Sequence, residues 1–152
     1  RKYHQVFVLL DEDRLTDVER YEARSMRASI AGDLAGARRL HLDWIARDTA
    51  NAVAHINVSD VAWNQGDWDT AVRYADRAME LGADDRWVAH WNLVVPLLDG
   101  GRIDEARRAV ARADSALGPE RDGTLHALSG MILAAEARYA EYHDANVGWE
   151  DW

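Results

Sequence analysis

The stretch NQGDWDTAVRYADRAMEL, residues Asn64–Leu81, contains a glycine that is followed five residues later by an alanine. The same pair occurs three times in the chain, as Gly32 and Ala37, Gly66 and Ala71, and Gly101 and Ala106. The three glycines are 34 and 35 residues apart. A period of this length is typical of stacked helix–turn–helix units, each too small to bury its own apolar face. The period therefore predicts an all-α fold built from repeated helix pairs.

Length and composition exclude several classes of protein. The chain has 152 residues, which fits one domain, and 48% of them are hydrophobic, which argues against disorder. A net charge of −9 at pH 7 argues against nucleic acid and against an anionic membrane as partners, because both need a basic face. The absence of cysteine excludes disulfides and cysteine–zinc sites. No apolar run approaches the ~20 residues of a membrane-spanning helix.

The ends of the chain suggest a piece of a longer protein. The sequence begins at Arg1, has no signal peptide, and enters an apolar pattern midway at Tyr3–Leu10. Lys2 is the only lysine among many arginines, a usage typical of GC-rich bacteria. We expect a cytoplasmic protein, with a periplasmic one as the alternative, because a chain without cysteine suits both compartments.

Apolar periodicity, together with the positions of glycine and proline, predicts helices along the whole chain. The Tyr3–Leu10 segment suits a strand or a helix by composition, and a helix is favoured because helices follow it. Thr16 and Glu19 form a capping-box pattern at the start of the next helix. The expected helices run from Thr16 to Ala31, Asp33 to Thr49, Asn51 to Gln65, Gly66 to Gly82, Asp85 to Leu98, Ile103 to Leu117, and Gly123 to His143.

Pro96 allows two interpretations of the fifth helix. A proline inside a helix frees the carbonyl four residues earlier, here that of Asn92, and kinks the chain. Such a kink would open a groove beside the helix. The alternative, which we favour, is that regular helix ends before Pro96 and that Pro96–Gly101 is a loop.

The second and third units resemble the tetratricopeptide repeat. Residues Asn64–Leu81 are similar to the loop and second helix of that family, as is GRIDEARRAVARADSAL at Gly101–Leu117. The family's small residues correspond to Ser59, Ala71, Ala78, Ala106 and Ala113, whereas Trp44 replaces the later alanine in the first unit and His55 and His90 replace an early large aromatic residue. The resemblance covers about residues 16–119.

This resemblance implies a right-handed α-α superhelix of antiparallel helix pairs in a single domain. The implied units are repeats at 16–50, 51–85 and 86–119, followed by a capping helix at 120–143 and a tail at 144–152. Residues 1–15 would be the end of a preceding helix and a linker.

In the family, the first helix of each unit lines a concave groove that binds extended peptides or helices. Carried over by position, the implied groove residues are Glu22, Met26, Val53, Ile56, Asn57, Asp60, Trp63, Val88, Trp91, Asn92 and Val95. Asn57 and Asn92 are equivalent residues, and an asparagine side chain offers both a donor and an acceptor to a ligand backbone. For Trp63 and Trp91, anchoring a ligand and filling gaps between repeats remain open alternatives.

The family's lysine and arginine clamp for a terminal carboxylate is absent, because Glu19, Val53 and Val88 occupy the matching positions. A groove that contains Glu22 and Asp60 would instead prefer a neutral or basic apolar segment. The partner class implied is therefore a protein or peptide.

No catalytic or metal-binding motif is present in the sequence. The six histidines form neither a His-x-x-x-His nor a His-Glu-x-x-His pair, so we interpret them as packing or surface residues. Acid pairs such as Asp84 and Asp85 lie in predicted turns, where caps and solvated charge explain them. Phosphate-binding loops and nucleophile elbows are also missing. We expect no enzyme activity and no cofactor.

The function expected from the sequence is a non-catalytic protein-interaction scaffold within a larger bacterial protein. The tail Asp144–Trp152, with two tryptophans, and the apolar Tyr3–Leu10 favour self-association, for example as a homodimer, as an alternative. The opening residues also resemble the start of repeat arrays in bacterial signalling proteins such as kinases and winged-helix regulators. A regulatory domain attached to a catalytic or DNA-binding domain is therefore a third hypothesis.

Overall fold

The computed structural model describes residues 15–84, 86–117 and 121–145, which form seven α-helices and no strand. The helices are α1 (Asp17–Ile30), α2 (Leu34–Arg47), α3 (Ala52–Asn64), α4 (Trp68–Ala78), α5 (Trp87–Asp99), α6 (Ile103–Ala116) and α7 (Arg121–Ala145). The all-α prediction is thereby confirmed for this part of the chain. The predictions for residues 1–14 and for the tail after Ala145 lie outside the described residues.

The three periodic glycines end three helices in the same way. Gly32, Gly66 and Gly101 have φ of 80°, 75° and 72°, a left-handed conformation that glycine adopts without steric cost. At each turn the residue after the glycine donates its backbone N–H to the carbonyl five residues earlier, over 2.8 to 2.9 Å. This is the Schellman arrangement that satisfies the last carbonyls of a helix. The glycine period therefore corresponds to a repeated backbone structure.

Each turn leads directly into the next helix, but the starts of those helices differ. The side chain of Asp33 accepts a hydrogen bond from Gly36 N at 2.8 Å, and that of Asp67 accepts one from Thr70 N at 3.3 Å. At the third turn Arg102 is the N-cap residue and makes no such bond. An N-cap hydrogen bond is therefore present at the first two of these helix starts and absent at the third.

The alanines that follow the glycines are buried completely. Ala37, Ala71 and Ala106 each have 0% exposure, and so do Ala78 and Ala113 one helical turn or more further on. Side chains this small let neighbouring helix backbones approach closely. The first pair of helices differs, since the buried Trp44 stacks on Tyr21 with ring centroids 6.2 Å apart.

A π-helical turn, Met79–Ala83, follows α4 and was not predicted from the sequence. α4 itself ends at Ala78, and Gly82, the predicted stop, lies four residues further on in this turn with a non-helical φ of 91°.

Each helix packs against the next one along the chain, and α3 also contacts α5 while α5 contacts α7. The main apolar core lies among α3 to α7, where Val94 and Leu128 have no exposed surface. None of the helices in the described ranges is both long and apolar enough to cross a membrane.

The favoured prediction that regular helix ends before Pro96 is wrong, because α5 continues through Pro96 to Asp99. Pro96 is fully buried, and its packing offsets the roughly 3 kcal/mol that a proline costs inside a helix. The carbonyl of Asn92, which Pro96 leaves without its helical donor, lies 3.4 Å from the hydroxyl of Ser59. That hydroxyl also donates to the Ala71 carbonyl at 2.7 Å. Tertiary contacts therefore keep this proline within the helix.

Candidate functional site

A cleft of about 450 Å³ lies between α1 and α3, with one residue of α2 in its lining. Its lining residues are Glu22, Ser25, Met26 and Ser29 from α1, His41 from α2, and Val53, Asn57, Asp60 and Val61 from α3. Five of these were predicted as groove residues from the sequence: Glu22, Met26, Val53, Asn57 and Asp60. The structure therefore brings together five of the seven predicted groove residues of the first two units.

Helical periodicity explains why these side chains share one surface. Residues three, four and seven positions apart lie on the same face of a helix. On α1 the lining begins at Glu22 and reaches Ser29, and on α3 it begins at Val53 and reaches Val61. The two faces supply both polar and apolar side chains, so the cleft has a mixed lining.

His41 is the most buried titratable group of the cleft. Its exposure is 5%, and burial lowers the pKa of its imidazole to about 4. The ring is therefore neutral at pH 7. Within the described part of the chain the ring makes no hydrogen bond. A neutral imidazole has one donor and one acceptor nitrogen, so His41 can form hydrogen bonds with a ligand in the cleft.

Two carboxylates face the cleft from opposite helices, Glu22 on α1 and Asp60 on α3. Partial removal of water raises the pKa of the Asp60 carboxyl, even though the residue is exposed. Neither side chain forms an ion pair with any described residue. The cleft is thus acidic, and no described residue neutralises its two carboxylates.

The other six predicted groove residues do not line the cleft. Ile56, Asn92 and Val95 are buried, so a ligand cannot reach them in this conformation. Val88, Trp91 and Trp63 are half-buried and pack against the apolar core. The structure therefore divides the predicted set between a cleft and an interior.

Asn92 and Trp63 have structural partners on neighbouring elements. The Asn92 side chain donates through Nδ2 to the Ile56 carbonyl at 3.3 Å, which joins α5 to α3. The Trp63 indole N–H donates to Asp99 Oδ2 at 2.6 Å, which joins the ends of the same two helices. These contacts favour gap filling over ligand anchoring for Trp63.

Sequence reasoning missed Ser25, Ser29, His41 and Val61. The signal for His41 was available, since it lies four residues after Ala37 and three before Trp44 on the buried face of α2. A polar residue between two interior positions indicates a buried polar group. Its exposure to a cleft depends on helices from another unit, which the local pattern does not describe.

The histidines at equivalent positions of the second and third units have a structural role. Nε2 of His55 lies 3.3 Å from the Thr49 carbonyl, and Nε2 of His90 lies 2.7 Å from the Asp84 carbonyl, each six residues earlier. Each ring thereby binds the segment that precedes its own helix. Across residues 15–84, 86–117 and 121–145, no group of three His, Cys, Asp or Glu side chains is placed to hold a metal ion.

A larger cleft, of about 660 Å³, runs along α4, and most of its charged side chains are already in ion pairs. Arg77 binds Glu80 at 2.8 Å, and Arg102 binds Asp69 at 3.1 Å. Arg73 lies over the ring of Tyr74, 5.5 Å from its centroid. Nδ1 of His55, which also lines this cleft, is buried and has no hydrogen-bond partner among the described residues. The carboxylates of this cleft are all paired with arginines, whereas those of the cleft between α1 and α3 are not, so the latter is the better candidate despite its smaller volume.

The comparisons with known proteins add no relative. No protein-family model matches the chain, and no curated protein matches it.

Proposed function

We propose that this chain is a non-catalytic protein-interaction scaffold of the tetratricopeptide type. Three equivalent Schellman turns, completely buried alanines after each turn, and the contacts of α3 with α5 and of α5 with α7 support this proposal. Contacts between helices two positions apart in the chain, as these two pairs make, are expected of a superhelical stack of helix pairs. On this proposal the repeats extend from α1 to α6, and α7 covers the last of them.

The observation that carries the functional part is the cleft between α1 and α3. These are the first helices of two successive units, and in the proposed architecture such helices line the ligand groove. Met26 and Val53 supply apolar contact, and Asn57 supplies both a donor and an acceptor. This combination suits an extended peptide or a short helix, because apolar anchors give affinity and backbone hydrogen bonds give orientation.

A peptide-binding experiment with site-resolved detection tests the proposal. The chain is screened against a random dodecapeptide library, and enriched peptides are titrated while methyl NMR signals are followed. We expect the methyl signals of Met26 and Val53 to shift on binding. Leu133, which is 66% exposed on α7, is the matched control and keeps its position. Enrichment of no peptide, or shifts at Leu133 without shifts at Met26 and Val53, contradicts the proposal.

A second candidate function is self-association, favoured by apolar side chains along α1. Val18, Met26 and Ile30 are all large, apolar and exposed. Apolar residues exposed together on one helix indicate a surface that a partner covers. Light scattering over a range of protein concentrations tests this function. A mass that rises with concentration in the natural chain and not in the Val18→Glu, Ile30→Glu variant supports it, and a constant monomer mass contradicts it.

A further inference from the structure

The two acidic side chains of the cleft differ from two acidic side chains at other contacts between elements of the described chain. Asp67 binds Arg38 at 3.0 Å, and Asp76 binds Arg112 at 2.8 Å, so acids at these contacts are neutralised by arginines. Glu22 and Asp60 have no such partner among the described residues. A cation that enters the cleft would be attracted by both carboxylates.

A second and independent observation comes from the buried ring of His41. It is 95% removed from solvent, lines the same cleft, and forms no hydrogen bond with the described residues. Its ring nitrogens are not among the fully buried polar atoms that lack a partner, so they remain accessible from the cleft. A ligand that brings a hydrogen-bond donor to the neutral ring would supply the missing partner.

The apolar part of the lining sets the shape of that ligand. Met26 from α1 and Val53 and Val61 from α3 border the same space as the carboxylates. An ammonium or guanidinium group on a long alkyl stem has this combination of an apolar body and a cationic, donor-only end. Small inorganic cations lack the apolar body, and acidic side chains would be repelled.

We propose that the cleft between α1 and α3 binds an arginine or lysine side chain of a peptide partner, with the alkyl stem against Met26 and Val53 and the cationic end at Glu22, Asp60 and His41. This inference rests on the proposed function, since it assigns the chemistry of the ligand that the scaffold binds. It makes the partner a basic segment with apolar flanks.

The test compares the composition of peptides enriched from the random dodecapeptide library with that of the input. We expect enrichment of arginine or lysine. The tightest arginine peptide is then resynthesised with lysine and with citrulline, which keeps the length of arginine and removes its charge. Fluorescence anisotropy with the natural chain should show a loss of affinity of about tenfold or more for citrulline, because hydrogen bonds to charged groups are the stronger ones. The lysine arm shows whether the forked guanidinium is needed or any cation suffices.

A charge-neutralising variant places the binding in the cleft. Glu22→Gln with Asp60→Asn removes both charges at exposed positions and keeps the shape of the side chains. We expect this variant to bind the arginine and citrulline peptides with similar, weak affinity. The control is Asp43→Asn with Asp84→Asn, which removes the same charge at exposed positions outside the cleft and should retain the preference for arginine.

Each remaining outcome has a distinct meaning. If peptides are enriched without basic residues, or if citrulline binds as well as arginine, the inference is overturned while the scaffold function stands. If basic peptides bind and the Glu22→Gln, Asp60→Asn variant keeps the preference, the cationic site lies elsewhere and the inference is again overturned. If no peptide is enriched at all, both the scaffold function and the inference fall.

Discussion

Asn57 and Asn92 lie 35 residues apart in equivalent positions of two units, yet the structure uses them differently. Asn57 is half-buried and lines the cleft between α1 and α3. Asn92 is 3% exposed and donates to the Ile56 carbonyl across the contact between α5 and α3. The difference is one of spacing, because α3 and α5 touch whereas α1 and α3 leave room for a cleft. The equivalent asparagine therefore lies at a surface where a cleft separates the two helices, and it links the two helices where they are in contact.

The largest expected effect is the pH dependence of stability that His41 causes in the cleft between α1 and α3. Burial lowers the folded-state pKa of His41 from 6.5 to about 4, so the unfolded chain takes up this proton first. The contribution of neutral His41 is fully present above pH 6.5 and is lost as the pH falls towards 4, by about 3 kcal/mol at most. Glu22 and Asp60 face the same cleft and reduce this loss if they approach the protonated ring.

Urea unfolding of the natural chain and of His41→Gln across this pH range measures the effect. The natural chain should lose more stability on acidification than the variant, since only the natural chain carries the buried imidazole. If the free energies of unfolding of the two proteins fall in parallel with pH, His41 is hydrated through a wider cleft between α1 and α3, and the prediction is contradicted.

The next effect contrasts the two asparagines directly. Asn92→Ala removes a buried hydrogen bond and leaves a cavity between α3 and α5, so we expect a loss of about 2–3 kcal/mol in the free energy of unfolding. Asn57→Ala changes a partly solvated side chain and should stay within about 0.5 kcal/mol. Urea denaturation of the two variants checks the prediction. Equal losses of unfolding free energy would contradict the distinction between the cleft of α1 and α3 and the contact of α3 with α5.

Replacing the buried alanines with leucine tests whether the looser packing lies within helix pairs or between them. Ala37→Leu, Ala71→Leu and Ala106→Leu each place a larger side chain at a position with no exposed surface, which should cost about 2 kcal/mol. The control Ala46→Leu makes the same change on an exposed face of α2. Similar losses of stability in thermal unfolding at all three sites would show that the helices are closely packed within each pair and that the cleft lies between pairs. A much smaller loss for Ala37→Leu would mean that the first pair is itself loosely packed.

The smallest effect concerns the starts of the second helices. Asp33→Ala and Asp67→Ala remove N-cap hydrogen bonds and should each cost about 1 kcal/mol. Arg102→Ala removes exposed ion pairs and no cap, so a cost below about 0.5 kcal/mol is expected. Thermal unfolding compares the three variants, and a loss for Arg102→Ala as large as the other two would show that the third start relies on its ion pairs.

Much of the fold and part of the site could be predicted from residues close together in the chain. The capping box at Thr16 and Glu19 is present, with Glu19 N donating to the Thr16 hydroxyl at 3.3 Å and Thr16 N donating to Glu19 Oε2 at 2.8 Å. The π-helical turn after α4 and the continuation of α5 through Pro96 were not predicted, because both depend on what packs against them. Five of the eight cleft residues on α1 and α3 were implied by the resemblance to the tetratricopeptide repeat, and Ser25, Ser29 and Val61 were missed.

The sequence by itself determined that the described chain is helical, where its three glycine turns lie, and which alanines face the interior. These features depend on the backbone freedom of glycine and on the volume of one side chain, which are properties of single residues. The tertiary structure alone decided that Asn57 borders a cleft while Asn92 is buried, and that His41 lies beside Glu22 and Asp60. Those outcomes depend on the distance between helices that are not adjacent in the chain, and packing over the whole molecule sets that distance.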